Sequence, residues 1–231
     1  MDNNTFPRLS SNALKLIALV CMTVDHVGFM LYPHLTVLRI IGRIAFPIFA
    51  YMIAEGCRYT SNRIRYLGTI LLLGIAMQVF FWFTRRSLYQ HILITFSMSI
   101  VLIFSVQNAR KQGGVWIVLS CLVFLGEAFA CLVLKKLLPW RSYEIDYGFC
   151  GVLLPFLIYS GRNRTERLAA AAVGLAAVSL AMSSRQWWCL LSLPLLALYS
   201  GERGRYRLKY LFYIYYPLHL IVLEGIRLWR R

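Results

Sequence analysis

The chain alternates apolar stretches of about the length of a membrane span with short basic loops, and this spacing constrains the fold more than any other feature of its 231 residues. A hydrocarbon core roughly 30 Å thick takes about 20 predominantly apolar residues per helix. Such runs occupy residues 13–32, 38–57, 65–83, 91–107, 115–138, 148–160, 167–183, 187–200 and 209–228. The pattern predicts an all-α, polytopic transmembrane helix bundle of about nine spans, within a range of eight to ten because short segments can be re-entrant. Residues 1–231 are expected to form a single integral membrane domain with a short polar N-terminal segment, 1–12. A content of 59% hydrophobic and 15% charged residues excludes an ordinary soluble domain.

The net charge of +16 does not point to nucleic acid, because the basic residues sit in clusters between apolar runs and not along one polar face. Clusters of this kind hold loops at an anionic membrane surface, so membrane lipids are the expected partners. With nine spans, the loops on the N-terminal side carry Arg58, Arg63, Arg65, Arg110, Lys111, Arg162, Arg164, Arg167 and the cluster 203–209. The other side carries fewer cations, which favours a cytoplasmic N-terminus. Six scattered cysteines with no CxxC give no metal-ligand spacing, and no metal is expected. Walker, HExxH, GxSxG and dinucleotide-binding motifs are absent from the sequence.

Against this apolar background "TVDHVGFML", residues 23–31, places Asp25 beside His26 inside the first span. A charge near the bilayer centre costs at least about 2.5–3.5 kcal/mol on insertion scales, so such groups face a bundle interior or a wet cavity. A hairpin turning near Pro33, His34 and Leu35 brings His26 level with Arg43, and Lys15 level with Ala54 and Glu55 as an ion pair. Arg39 and Arg43 lie four residues apart and share a helix face, a positive wall suited to phosphate or carboxylate. The structural alternative is that Arg39 snorkels to the interface while Arg43 pairs with Asp25 to lock two helices together. Neighbouring helical residues point about 100° apart, so Asp25 need not orient His26 and is equally suited to hold Arg43 or Lys15. A neutral imidazole can take a proton from an amine or hydroxyl near neutral pH, which makes His26 the candidate base.

Two weaker candidates lie further along. His219 sits in "YIYYPLHLIVLE", where Pro217 loosens the helix and Glu224 follows, and both packing and catalytic roles are open to it. "YEIDYG", residues 143–148, gathers Glu144, Asp146 and Tyr147 before the sixth span, either as an interfacial belt or as a gate or amine-binding group.

"ALKLIALVCMTVDHVGFMLYP", followed by "LRIIGRIAFPIFAYMIAEGCRYT", closely resembles the opening of the TraX family, named after the F-pilin acetylase. The likeness continues through "DYGFCGVLL", "LYSGERG" and "KYLFYIYYPLHLIVLEG", nearly the whole chain, and departs at "HILITF", where the family has an asparagine at the place of His91. The resemblance implies a multi-pass acetyltransferase of the bacterial cytoplasmic membrane that uses acetyl-coenzyme A as donor. It makes His26 the catalytic histidine with Asp25 beside it and Arg43 and Lys15 supporting. Beside that resemblance, His26 is suited to act either as base or as nucleophile through an acyl-imidazole, and Arg43 and Arg39 to clamp the donor phosphates or stabilise the oxyanion. Glu55, Asp146, Tyr147 and His219 are the candidate substrate or support residues. The acceptor is a peptide amine, a glycan or a lipid.

Two other classes compete with an enzyme. In a proton-coupled carrier, Asp25, His26 and Glu55 would form a relay, but such folds show matched halves with broken helices, and no internal repeat is visible. A non-catalytic scaffold for an envelope or conjugation complex would tolerate neutral replacement of the buried charges.

Overall fold

The computed structural model describes residues 8–138, 142–205 and 208–230. The first seven residues of the polar N-terminal segment lie outside these, as do Pro139, Arg141, Arg207 and Arg231. The described chain is helical apart from two two-residue strands, β1 (Tyr89–Gln90) and β2 (Glu144–Ile145), paired in parallel. The all-α fold stands. The helices are α1 (Ser11–Met30), α2 (Thr36–Gly42), α3 (Ala45–Tyr59), α4 (Arg63–Arg85), α5 (Ile92–Gln112), α6 (Val115–Leu132), α7 (Leu134–Leu137), α8 (Gly148–Ser160), α9 (Arg164–Ala181), α10 (Ser192–Ala197) and α11 (Lys209–Trp229). A 3-10 helix, Ser184–Leu191, precedes α10.

Among the described residues, six helical segments are long and apolar enough to cross a membrane: Ser11–Met30, Thr36–Tyr59, Arg63–Arg85, Ile92–Gln112, Val115–Leu137 and Leu211–Trp229. The chain is a multi-pass membrane protein. The other three apolar runs are the weaker ones. α8 has 13 residues and rises only about 20 Å, α9 carries Arg164, Glu166 and Arg167 at its start, and the run 187–200 is split between the 3-10 helix and α10.

The chain packs as two compact units, Met1–Met52 with Ala171–Arg231, and Ile53–Ala170. In the first, Ser10 caps α1 by accepting from the Ala13 N–H at 3.2 Å, and Pro33 lies in the turn that follows the helix. The next apolar run bends. α2 stops at Gly42, the chain turns through Arg43 and Ile44, and Pro47 falls in the first turn of α3, where its missing N–H leaves no broken hydrogen bond.

α1 and α11 run parallel. The Ser11 and Asn12 N–H groups donate to the carbonyls of Glu202 and Arg203 at 2.8 and 3.2 Å, so the start of α1 lies beside the segment leading into α11. Two polar rungs, Thr23 with Tyr215 and His26 with His219, then climb both helices in the same direction. Parallel helices are separated by an odd number of crossings. Thr36–Tyr59, α4, α5 and Val115–Leu137 supply four. If each of the three apolar runs in residues 148–197 also crosses once, seven crossings separate α1 from α11, an odd number that agrees with the expected nine spans.

Close approach of α1 and α2 depends on glycine. A Cβ on Gly28 would press on Leu38, and one on Gly42 would overlap the side chain of Asp25. Gly42→Ala is therefore expected to lower stability by about 1–3 kcal/mol, the usual cost of overpacking. Gly126→Ala, where a Cβ meets open space, should be neutral or slightly stabilising. Thermal unfolding in detergent compares the two.

In the second unit α5 packs against α4, α6 and α8. Its buried hydroxyls satisfy carbonyls in the apolar surroundings: Ser99 donates to Val152 at 2.7 Å and Thr95 to Asp146 at 2.8 Å. α6 exposes Val118, Leu122, Leu125, Phe129 and Leu132, a surface suited to lipid and not to water. His91 immediately precedes α5 and lies between Phe81 and Tyr89, with ring centroids 4.4 and 5.5 Å away. Burial, with Arg85 nearby, pushes its imidazole down to about 4 from an ordinary 6.5. The unfolded chain thus takes up the proton first. The contribution of His91 to stability is complete above pH 6.5 and is lost as pH falls toward 4, so His91→Gln should flatten the acid limb of a melting-temperature profile over that window.

Candidate functional site

Asp25 and His26 are neighbours in α1 with different partners. The Asp25 carboxylate is gripped by two guanidinium groups: Arg39 Nη1 lies 2.5 Å from Oδ2 and Arg43 Nη2 lies 3.0 Å from Oδ1. Arg39 Nη1 also donates to the Asp25 carbonyl at 3.2 Å, and Arg43 Nε to the Arg39 carbonyl at 3.2 Å. The remaining Arg43 nitrogen, Nη1, donates to Gln186 Oε1 at 3.0 Å. The Arg39 guanidinium lies 5.0 Å from the centre of the Phe29 ring. Side-chain exposures of 15% for Asp25, 12% for Arg43 and 21% for Arg39 place all three largely out of solvent, where a charge is tolerated only with such partners.

This geometry corrects the hairpin arithmetic. Reflection through the turn put His26 opposite Arg43, whereas the residue that meets Arg43 is Asp25, one position earlier. The straight-hairpin assumption fails because the chain turns at Arg43 and Ile44 and because Gly42 lets Asp25 come close. Arg39 does not simply snorkel, and the two arginines do share a face, as their spacing predicts.

His26 turns instead toward α11. Its Nδ1 lies 2.8 Å from Nε2 of His219, and the two rings are stacked with centroids 5.0 Å apart. His219 is 8% exposed, and its Nδ1 lies 2.8 Å from the Tyr215 carbonyl. The second rung, Thr23 Oγ1 to Tyr215 Oη at 2.7 Å, lies about one turn toward the start of both helices. Lys15, lower on α1, sits over the Phe212 ring at 5.5 Å.

The remaining candidates belong to the second unit. Glu55, 5% exposed, pairs with Arg167 at 2.6 Å, with Arg58 at 3.9 Å, both within its own unit. Arg167 comes from α9, beyond the first two spans that depth matching considered. Asp146 accepts from the Tyr89 hydroxyl at 2.6 Å. Burial, and then the Asp146 carboxylate, raise the Tyr89 phenol above its ordinary range. Tyr147 opens α8 in a left-handed conformation, φ 61°. Among the described residues no group of three histidine, cysteine or acidic side chains is placed to hold a metal ion.

Gln186, Tyr215, Thr23 and Arg167 were not singled out by the sequence. Gln186 is wholly buried, and with Oε1 committed to Arg43 its amide nitrogen makes no hydrogen bond among the described residues. Its only local signal is an amide next to two tryptophans at the start of an apolar run, too weak to stand out from an interfacial belt.

Comparison with known proteins shows two relatives at different ranges. An uncharacterized protein of Rickettsia prowazekii (strain Madrid E) is 34% identical over 157 residues, covering 67% of this chain and 57% of that protein. The chain thus spans little more than half the length of that relative. A probable fimbrial assembly protein, FimC of serogroup H1, from Dichelobacter nodosus is 24% identical over 243 residues, covering 93% of this chain and 94% of that protein. No solved structure matches. A family profile described as "TraX protein" matches residues 10–227, which contain the Asp25–Arg39–Arg43 cluster and the His26–His219 pair, and the chain belongs to the TraX family.

Proposed function

We propose that the chain is a membrane-embedded acyltransferase that moves an acetyl group from acetyl-coenzyme A to an amine or hydroxyl of an envelope-associated acceptor, with His26 as the general base. The observation that carries this reading is the hydrogen-bonded pair of His26 and His219, set between two spans next to a buried Arg–Asp–Arg cluster. Such a pair has little structural justification in an apolar bundle and the right chemistry for proton transfer.

In the proposed step His26 takes the proton of the acceptor amine or hydroxyl as its nitrogen or oxygen attacks the thioester carbonyl. The carbon–sulfur bond then breaks, the acetyl group stays on the acceptor, and the leaving thiolate recovers the proton. Charge developing on the carbonyl oxygen needs nearby donors. The two guanidinium groups that flank Asp25, and the buried Gln186 amide beside Arg43, are the candidate donors. Both guanidinium groups are already engaged by Asp25, which argues against their serving as the clamp for the donor phosphates. Exposed cations such as Arg65, Arg110, Lys111 and Arg162 are better suited to draw in the anionic donor.

His26 lies about 22 Å along α1 from Ser11. With the N-terminus in the cytoplasm, the pantetheine arm reaches the base through the protein while the acceptor enters from the far side. Likeness to a fimbrial assembly protein supports a surface-appendage subunit as one acceptor. Radiolabelled acetyl-coenzyme A given to the purified, detergent-solubilised chain tests the reading. Donor turnover or label transfer that disappears in His26→Ala supports it. A wild type that neither binds nor consumes the donor brings the carrier and scaffold readings forward.

A further inference from the structure

Each neutral histidine has two tautomers, and the choice decides which ring nitrogen holds the lone pair. For this pair the choice is made from outside. A backbone carbonyl only accepts, so the 2.8 Å contact between His219 Nδ1 and the Tyr215 oxygen fixes the His219 proton on Nδ1. Neutral His219 then offers Nε2 as an acceptor. At 2.8 Å from it, His26 Nδ1 must be the donor. With its proton on Nδ1, His26 carries its lone pair on Nε2. We propose that His219 is a positioning residue that fixes His26 in this tautomer and makes His26 Nε2 the proton-accepting atom. The assignment rests on the reading of His26 as the base.

The supports of His219 are also directional. Thr23 donates its hydroxyl proton to the Leu19 carbonyl at 2.8 Å, so at the 2.7 Å contact Thr23 accepts and Tyr215 donates. Tyr215 is thereby anchored to α1, with its ring stacked on His219 at 5.2 Å and an interplanar angle of 14°. Tyr216 closes against the same imidazole edge-on, with centroids 5.8 Å apart. The sequence accounts for this register: Thr23 and His26 are three apart on α1, Tyr215 and His219 four apart on α11, and each pair presents one face. When His26 takes a proton on Nε2, its Nδ1–H keeps the same acceptor. His219 thus holds the imidazolium as well as the neutral ring, a task that falls to a carboxylate in Ser-His-Asp sites. Here Asp25, the carboxylate next to His26 in the sequence, is committed to Arg39 and Arg43.

Two measurements on the full chain test this. Nitrogen-15 and carbon-13 labelling of histidine, with His26 assigned by its loss in His26→Ala, reads the tautomer directly by magnetic resonance. The expected result is an Nδ1–H His26 in the wild type that becomes a mixture in His219→Leu. A wild-type His26 protonated on Nε2 overturns the proposal. In acetyl transfer, His219→Leu should lower kcat at least about tenfold, as loss of the correct tautomer does in Ser-His-Asp sites, with KM for the donor little changed. His219→Gln, whose amide oxygen can accept from His26 Nδ1, should recover most of the loss. Equal kcat for wild type and His219→Leu overturns the proposal, as does a folded His219→Gln no better than leucine. A chain that transfers no acetyl group sinks the acyltransferase reading instead, and the resonance measurement still decides whether His219 sets the tautomer.

Discussion

Acetyl transfer by His26→Ala is expected to fall about 100- to 10,000-fold below wild type, the usual contribution of a positioned general acid–base group. The loss belongs in kcat, with KM for acetyl-coenzyme A close to wild type, because His26 is assigned to the reacting atoms and not to holding the donor. The hydrogen bond to His219 that is lost with the imidazole is worth about 0.5–1.5 kcal/mol, so the variant should remain folded and monodisperse. An inactive variant that has also unfolded would say nothing about chemistry, and the melting temperature must be recorded beside the rate. A folded His26→Ala that transfers acetyl at the wild-type rate would remove His26 from the mechanism.

Asp25→Ala should show the larger structural effect, a loss of about 3–5 kcal/mol measured by thermal or chemical unfolding in detergent, because it leaves two largely desolvated guanidinium groups without the Asp25 carboxylate between them. All three side chains are less than a third exposed, so solvent screening does not cancel the effect. Asp25→Asn keeps the volume and one acceptor oxygen, and should fall between alanine and wild type. The decisive comparison is the triple replacement Asp25→Leu, Arg39→Met and Arg43→Met. With no charge left to strand, it is expected to be more stable than Asp25→Ala alone. A cost below about 1 kcal/mol for Asp25→Ala would place the cluster in the exposed-pair class and withdraw its role in joining α1 to α2.

The apolar run lengths carry most of the fold because the bilayer demands them: a helix of fixed rise must match a core of fixed thickness. The same rule weakens at 148–160 and 187–200, where the helices are shorter than the core and run length stops counting crossings. The parity of the bundle came from α1 and α11 lying parallel, a contact between residues nearly two hundred positions apart.

The charges of the site could be found in the sequence because an ionisable group in an apolar run is conspicuous: Asp25, His26, Arg39, Arg43, Glu55 and His219 all stood out. Their pairing could not. Depth along a hairpin is known to about one helical turn, and adjacent residues differ by 100° in direction, so the sequence set His26 level with Arg43 and left the Asp25–Arg43 pair as one alternative among several. Arg167 and Gln186 were reachable only through tertiary contact, since each comes from a distant segment and looks like ordinary loop or interfacial chemistry. By itself the sequence determined that this chain is a helical membrane protein with ionised groups buried in its first two spans, because insertion energy depends on composition along a single helix. Which of those groups face one another, and that His26 meets His219 while Asp25 meets two arginines, only the tertiary structure decided, because hydrogen bonds depend on direction and on ångström separations that no linear spacing encodes.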